Sequence, residues 1–197
     1  MRALITGPEG SPFSNGCFQF DIYFPSKYPV KPPKVNFRTT GKKNVRFHPN
    51  LPVNGKVIHP LLNKETQDEF WQENCSILQV LIEMQNLLKT TDPVFFENLH
   101  HVLIGTHLGN WLTTTYNKSI YYYTMKYAIL KQLHFPPPGF EEVVKAHFYL
   151  KRNRIIKDVE NWAKLDLSLT SIADTIKKEL KILQPPNEDV AQMAIEV

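Results

Sequence analysis

A chain of 197 residues, 42% hydrophobic and 12% aromatic, can bury a core of its own, enough for one domain with a modest appendage. Its net charge of +4, from 23 basic against 19 acidic residues, is too balanced for a nucleic-acid footprint, and no apolar run approaches membrane-spanning length. Met1-Arg2-Ala3-Leu4-Ile5 is broken too soon by Gly7-Pro8 to be a secretory signal, so a soluble, intracellular, cytoplasmic protein is expected, with the nucleus also open to it.

In chain order, the first clear pattern runs from Cys17 to Phe24. Phe18, Phe20, Ile22 and Phe24 alternate with Gln19, Asp21 and Tyr23, the period of a strand with one buried face, and Pro25 ends it. Val35 and Phe37 repeat the alternation, while Pro8, Pro12, Pro25, Pro29, Pro32 and Pro33 fall where connections must lie. Ser76 and Gln79 read as a capping box opening a helix whose apolar face is Ile77, Leu81, Met84 and Leu88, with Gln85 and Asn86 outward. Ile120, Tyr123, Tyr127 and Leu130 keep helical spacing until Pro136-Pro137-Pro138-Gly139 stops it. A further helix is expected from Glu141 to about Leu165, with Val144, Phe148, Ile155, Val159 and Trp162 as one stripe. The last runs from about Ser171 to Leu183, on Ile172, Ile176, Leu180 and Leu183, and residues 187–197 carry no clear signal.

Two chemical readings fail on spacing. Cys17 and Cys75 form no CxxC pair, and His100, His101 and His107 have no Cys or carboxylate at ligand distance, so no disulfide, metal or cofactor is expected. The densest basic cluster, Lys151-Arg152-Asn153-Arg154, falls on the polar face of an amphipathic helix and reads as a solvated surface.

Longer motifs carry a family resemblance. Gly7 to Pro25, Tyr28-Pro29 with Pro32-Pro33, and His48-Pro49-Asn50 followed by Gly55 and Val57 resemble, in order and spacing, the signature passages of ubiquitin-conjugating enzymes. Thr124-Met125-Lys126-Tyr127-Ala128 is similar to that family's closing helix motif. The segment Phe140 to Trp162 is similar to the extension in the Bruce (Apollon) branch, a very large inhibitor-of-apoptosis hybrid. The resemblance implies an α+β fold, a four-stranded antiparallel meander packed on a central helix. It divides the chain into a core over 1–133 and a helical extension over 134–197. Because the chain opens within an early strand, the family's amino-terminal helix, a docking surface for the activating enzyme, is expected to be missing.

The resemblance also exposes a departure. Where the family carries the Cys that holds ubiquitin as a thioester, this chain has Ile58, followed by His59 and Pro60. A hydrocarbon has no lone pair to attack an activated carboxyl terminus. His48, Pro49 and Asn50 then stand as a vestigial active-site loop, and Trp71 fits the family's later aromatic although Gln72-Glu73 replaces the Asn-Pro behind it. The expectation is a catalytically inactive variant that binds ubiquitin, an active ubiquitin-conjugating enzyme or a ubiquitin ligase, with no nucleic-acid or membrane partner. Two alternatives stay open: an active transferase relying on Cys75, placed beside a helix start that can depress a thiol pKa, and a diverged, truncated copy with little function.

Overall fold

The computed structural model describes residues 1–62, 70–72, 75–89 and 105–186. Strands β1 (Arg2–Thr6), β2 (Cys17–Tyr23) and β3 (Lys34–Phe37) pair antiparallel in chain order. The register sets Ala3 opposite Phe20 and Phe20 opposite Phe37, so the alternation read in the sequence becomes one continuous apolar face. Phe18 lies at its centre, with ring centroids 5.9 Å from Phe13 and 5.3 Å from Phe47 in edge-on contacts.

Three strands are found among the described residues, where the sequence reading expected four. The chain does return beside β3, but only through the isolated bridge between Asn36 and Lys56. The Phe37 N–H donates to the Gly55 carbonyl at 2.7 Å, and the Val57 N–H reaches the Val35 carbonyl at 3.4 Å. The physical reason lies in the approach: Pro49 and Pro52 have no N–H for a ladder, and Gly55 turns the backbone through a φ of +83° that no strand residue adopts.

Helix α1 (Ile77–Leu87) crosses this core. The capping box forms as read: the Gln79 N–H donates to Ser76 Oγ at 3.4 Å, and the Ser76 N–H donates to Gln79 Oε1 at 2.8 Å. The expected face, Ile77, Leu81, Met84 and Leu88, meets the core, with Val80 and Leu87 buried beside it. Val80, Met84 and Leu87 are buried within the helix and Leu88 just after it, whereas Ile77 and Leu81 are only half-buried, and Asn86 is half-buried rather than outward. Apolar residues fall on more than one face of the segment, with Leu78 and Ile82 exposed, so periodicity alone left the exact rotation of the helix open.

Helix α2 (His107–Tyr123) starts at Thr106, whose Oγ1 accepts from the Gly109 N–H at 3.1 Å. It continues through a π-helical stretch, Thr124–Leu130, into the short α3 (Lys131–His134). This widened stretch serves two cores, with Ala128 in the one beneath the sheet and Met125 and Ile129 in a second. The second core is filled by α4 (Glu141–Leu165) and α5 (Thr170–Ile182), joined through a 3₁₀ turn at Leu167–Leu169. All five residues of the α4 stripe are buried there, against Cys17 and the half-buried Leu4 from the opposite sheet face.

A polar staple fixes α4 to the turn between β1 and β2. Ser14 Oγ donates to Asp158 Oδ2 at 2.7 Å, and Asn15 Nδ2 donates to the same oxygen at 3.1 Å. Arg154 lies 3.3 Å from the other carboxylate oxygen, and the Asp158 side chain is 12% exposed. Asp158→Ala should cost about 1–3 kcal/mol, because it leaves the buried Ser14 hydroxyl without its acceptor and Asn15 Nδ2 with Ser14 Oγ alone. A shift in the urea midpoint at unchanged slope checks this, and an unmoved midpoint would make the staple ornamental. The basic cluster flanking Asp158 is surface: Lys151 and Arg154 lie 3.6 and 3.7 Å from Glu9, and Arg152 stacks 4.1 Å above the Tyr149 ring.

Candidate functional site

The loop from His48 to Leu62 is organised by its own backbone and two imidazoles. His48 is fully buried, and its Nδ1 accepts from the Asn50 N–H at 3.0 Å while its carbonyl accepts from the Leu51 N–H at 2.8 Å. Arg46 Nη2 donates to the Pro49 carbonyl at 3.0 Å. The Ile58 N–H then donates to the Asn50 carbonyl at 3.0 Å, closing the loop on itself. His48, Pro49, Asn50 and Ile58 are therefore brought together. Asn50 contributes through its backbone at both ends of this arrangement.

Gly55 is the pivot of the loop. A Cβ there would stand 2.6 Å from the Phe37 carbonyl oxygen, and the φ of +83° is one that L side chains rarely adopt. Beyond it, His59 anchors the far arm: its Nδ1 accepts from the Leu61 N–H at 3.2 Å, and its Nε2 lies 3.3 Å from Glu83 Oε2 on α1. Sequence reasoning missed Glu83, since nothing in the spacing between positions 59 and 83 announces that a loop and a helix meet.

Burial and, next, the Arg46 guanidinium push the His48 imidazole down to about 4. Burial also lowers His59, against the opposing pull of Glu83, and lowers His147, whose Nε2 lies 2.9 Å from the Asn15 carbonyl. For His48 the unfolded imidazole titrates near 6.5 and the folded one near 4. Above 6.5 both states are neutral and the fold keeps its full stability. As pH falls from 6.5 toward 4 the unfolded chain takes up a proton that the folded one refuses, so stability declines, by on the order of 3 kcal/mol for this gap. Urea midpoints near pH 7 and about pH 4.5 should show the loss. His48→Gln should reduce the difference, with His59 and His147 contributing in the same direction, and an equally steep profile in that variant would remove His48 as a source.

The two thiols lie in different settings. Cys17 is fully buried in the second core, and burial pushes its thiol well above the usual range. Cys75 is half-buried immediately before the α1 cap, where its Sγ accepts from the Gln72 N–H at 3.4 Å and lies 3.8 Å from the Phe70 carbonyl. Ile58, by contrast, is 55% exposed, and it lines a groove of about 1270 Å³ with His59, Leu62, Tyr23 and the Lys31 to Asn36 segment. Trp71 is buried, and its Nε1 donates to the Pro29 carbonyl at 2.6 Å. Glu73, His100 and His101 lie outside the described residues. Among the described residues no cluster of His, Cys, Asp and Glu could hold a metal ion, and no helix is long and apolar enough to cross a membrane.

Residues 1–103 match the family model described as "Ubiquitin-conjugating enzyme". The chain is 44% identical over 165 residues to the dual E2 ubiquitin-conjugating enzyme/E3 ubiquitin-protein ligase BIRC6 of Homo sapiens, a match covering 82% of this chain and 3% of the human protein. It is 42% identical over 164 residues to the probable ubiquitin-conjugating enzyme protein 17 of Caenorhabditis elegans, covering 82% of this chain and 22% of that protein. Among solved structures, human ubiquitin-conjugating enzyme E2 G1 superposes with a TM-score of 0.38 at 29% identity, covering 44% of this chain and 66% of the other. The chain thus spans a small part of the curated relatives it matches.

Proposed function

Because the chain belongs to the ubiquitin-conjugating enzyme family, we propose that it is a catalytically inactive variant of that family, a module that binds ubiquitin without accepting it covalently. The observation that carries this reading is Ile58. It follows His48-Pro49-Asn50 at the distance where the family's motif places its nucleophile, it is exposed to the groove, and it offers no atom able to form a thioester.

Neither remaining thiol supplies a convincing substitute. Cys17 is buried away from the loop in the second core, with its thiol form favoured. The Cys75 sulfur is engaged with the backbone of residues 70 and 72, and a misplacement of about 1 Å from alignment with Asn50 and the docked carbonyl costs a nucleophile about a hundredfold. What persists is the loop itself, held by Asn50, His48 and the His59–Glu83 contact, together with a sheet that stays ordered without catalytic chemistry.

Titration of isotope-labelled ubiquitin with the full chain tests the binding half of this reading. A fast-exchange, saturable shift of a contiguous set of ubiquitin resonances is expected, with no change in ubiquitin's mass. Unperturbed spectra at high micromolar concentrations, on the order of ten times a typical weak Kd, would instead favour a diverged copy that has lost its binding role.

A further inference from the structure

The groove beside Ile58 has a chemistry that the loss of a thiol does not explain. Its volume of about 1270 Å³ exceeds the range of roughly 300–1,000 Å³ usual for small-molecule sites and can take several residues of extended chain. Buried Ile22, Val35 and Val57 form its floor, and two exposed apolar side chains stand over them, Tyr23 at 62% and Ile58 at 55%.

The rim is cationic. Lys31, Lys34 and Lys56 all line it and are exposed, and none of the three pairs with a carboxylate among the described residues. The one carboxylate in the lining is Asp21, and it is already shared by Arg2 at 3.2 Å and Arg38 at 3.3 Å. His59, lowered by burial, adds no full charge near neutral pH. Among the described residues the groove therefore presents an apolar floor rimmed by three lysines that no carboxylate pairs, with Lys34 Nζ 5.9 Å from the Tyr23 ring centroid.

We propose that this groove docks an extended, acidic segment of a partner polypeptide, seating an apolar side chain between Ile58 and Tyr23 while its carboxylates meet Lys31, Lys34 and Lys56. Charge complementarity selects the sign of the partner and the apolar floor selects its class. A nucleic-acid strand fits less well: the charges are lysine point charges around a hollow, without the arginine forks and successive stacking rings that track a phosphate backbone. Position 58 is here a contact, and its exposed hydrocarbon becomes part of the recognition surface. The proposal goes beyond the loss of catalysis and does not depend on it, since ubiquitin charging and peptide docking read different chemistry.

The test is fluorescence anisotropy on the full chain with a labelled peptide of about ten residues in which Glu and Asp surround Leu and Phe. Three competitors accompany it: the same peptide with Lys for each acid, one with Ser for each apolar residue, and a single-stranded oligonucleotide. Saturable binding that weakens with salt is expected, reduced about tenfold or more by Lys34→Glu with Lys56→Glu and by a similar factor in Ile58→Asp. These positions are exposed, and circular dichroism confirms that the variants fold. Absence of binding by the acidic peptide, equal affinity in the variants, or equal competition by the lysine peptide, the serine peptide or the oligonucleotide would overturn the proposal.

Discussion

A chain ending at Leu133 should lose the cooperative melting transition of the full protein and become prone to aggregate. The second core is built jointly: Cys17, Met125 and Ile129 come from before the cut, while Val144, Phe148, Ile155, Val159, Trp162, Ile176 and Leu180 come from after it. Burying a large apolar side chain contributes about 1.5–3 kcal/mol, and the cut exposes Met125 and Ile129 together with Cys17, residues that stay in the shorter chain without their cover. The cut also removes Asp158, the acceptor for Ser14 and Asn15. Exposed Met125, Ile129 and Cys17 would form an apolar patch of the kind that recruits other chains. Calorimetry and light scattering on the two lengths read both effects. An unchanged transition in the shorter chain would mean that α4 and α5 are an independent appendage.

Phe18→Ala should be the most damaging single truncation beneath the sheet, at about 3–5 kcal/mol. Phe18 is fully buried and meets Phe13, Phe37 and Phe47, with the Phe37 ring stacked at 6.3 Å. Those rings come from the turn before β2, from β3 and from the segment leading into His48, so they can collapse on the void only by moving the sheet and the loop together. Chemical denaturation should show the loss, and Phe18→Leu should recover part of it. A cost below about 1 kcal/mol for the alanine variant would mean that the cluster repacks freely.

The strands were legible because one apolar face against one polar face gives the period of two without ambiguity from Phe18 to Ile22. The helix over 141–165 was equally plain, since its five-residue stripe is flanked by charge and bounded by Pro138-Gly139. Reading failed where the deciding contact is remote or the local signal is uniform. The exact rotation of α1 depends on which of its apolar residues meet the phenylalanine cluster, and the fourth strand depended on prolines that a motif comparison passes over. The π-helical stretch from 124 to 130 left no mark in its spacing, because it is fixed by two cores pulling on one helix.

Much of the site was legible too. The loop from His48 to Ile58 was visible in its order of residues, with Gly55 as one member of the motif. The groove was not, because Tyr23, Lys34 and Lys56 lie on three separate segments that only the β2–β3 register and the Asn36–Lys56 bridge bring alongside one another. The expectation for residues 187–197 lies outside the described residues.

The central claim concerns position 58, and ubiquitin charging tests it most directly. The full chain, incubated with activating enzyme, ATP and ubiquitin and separated without reductant, should give no adduct that thiol treatment releases, because Ile58 has no nucleophilic atom and the two cysteines, Cys17 and Cys75, do not occupy its position. A reductant-sensitive band that disappears in Cys75→Ser would contradict the account and make this chain an active transferase.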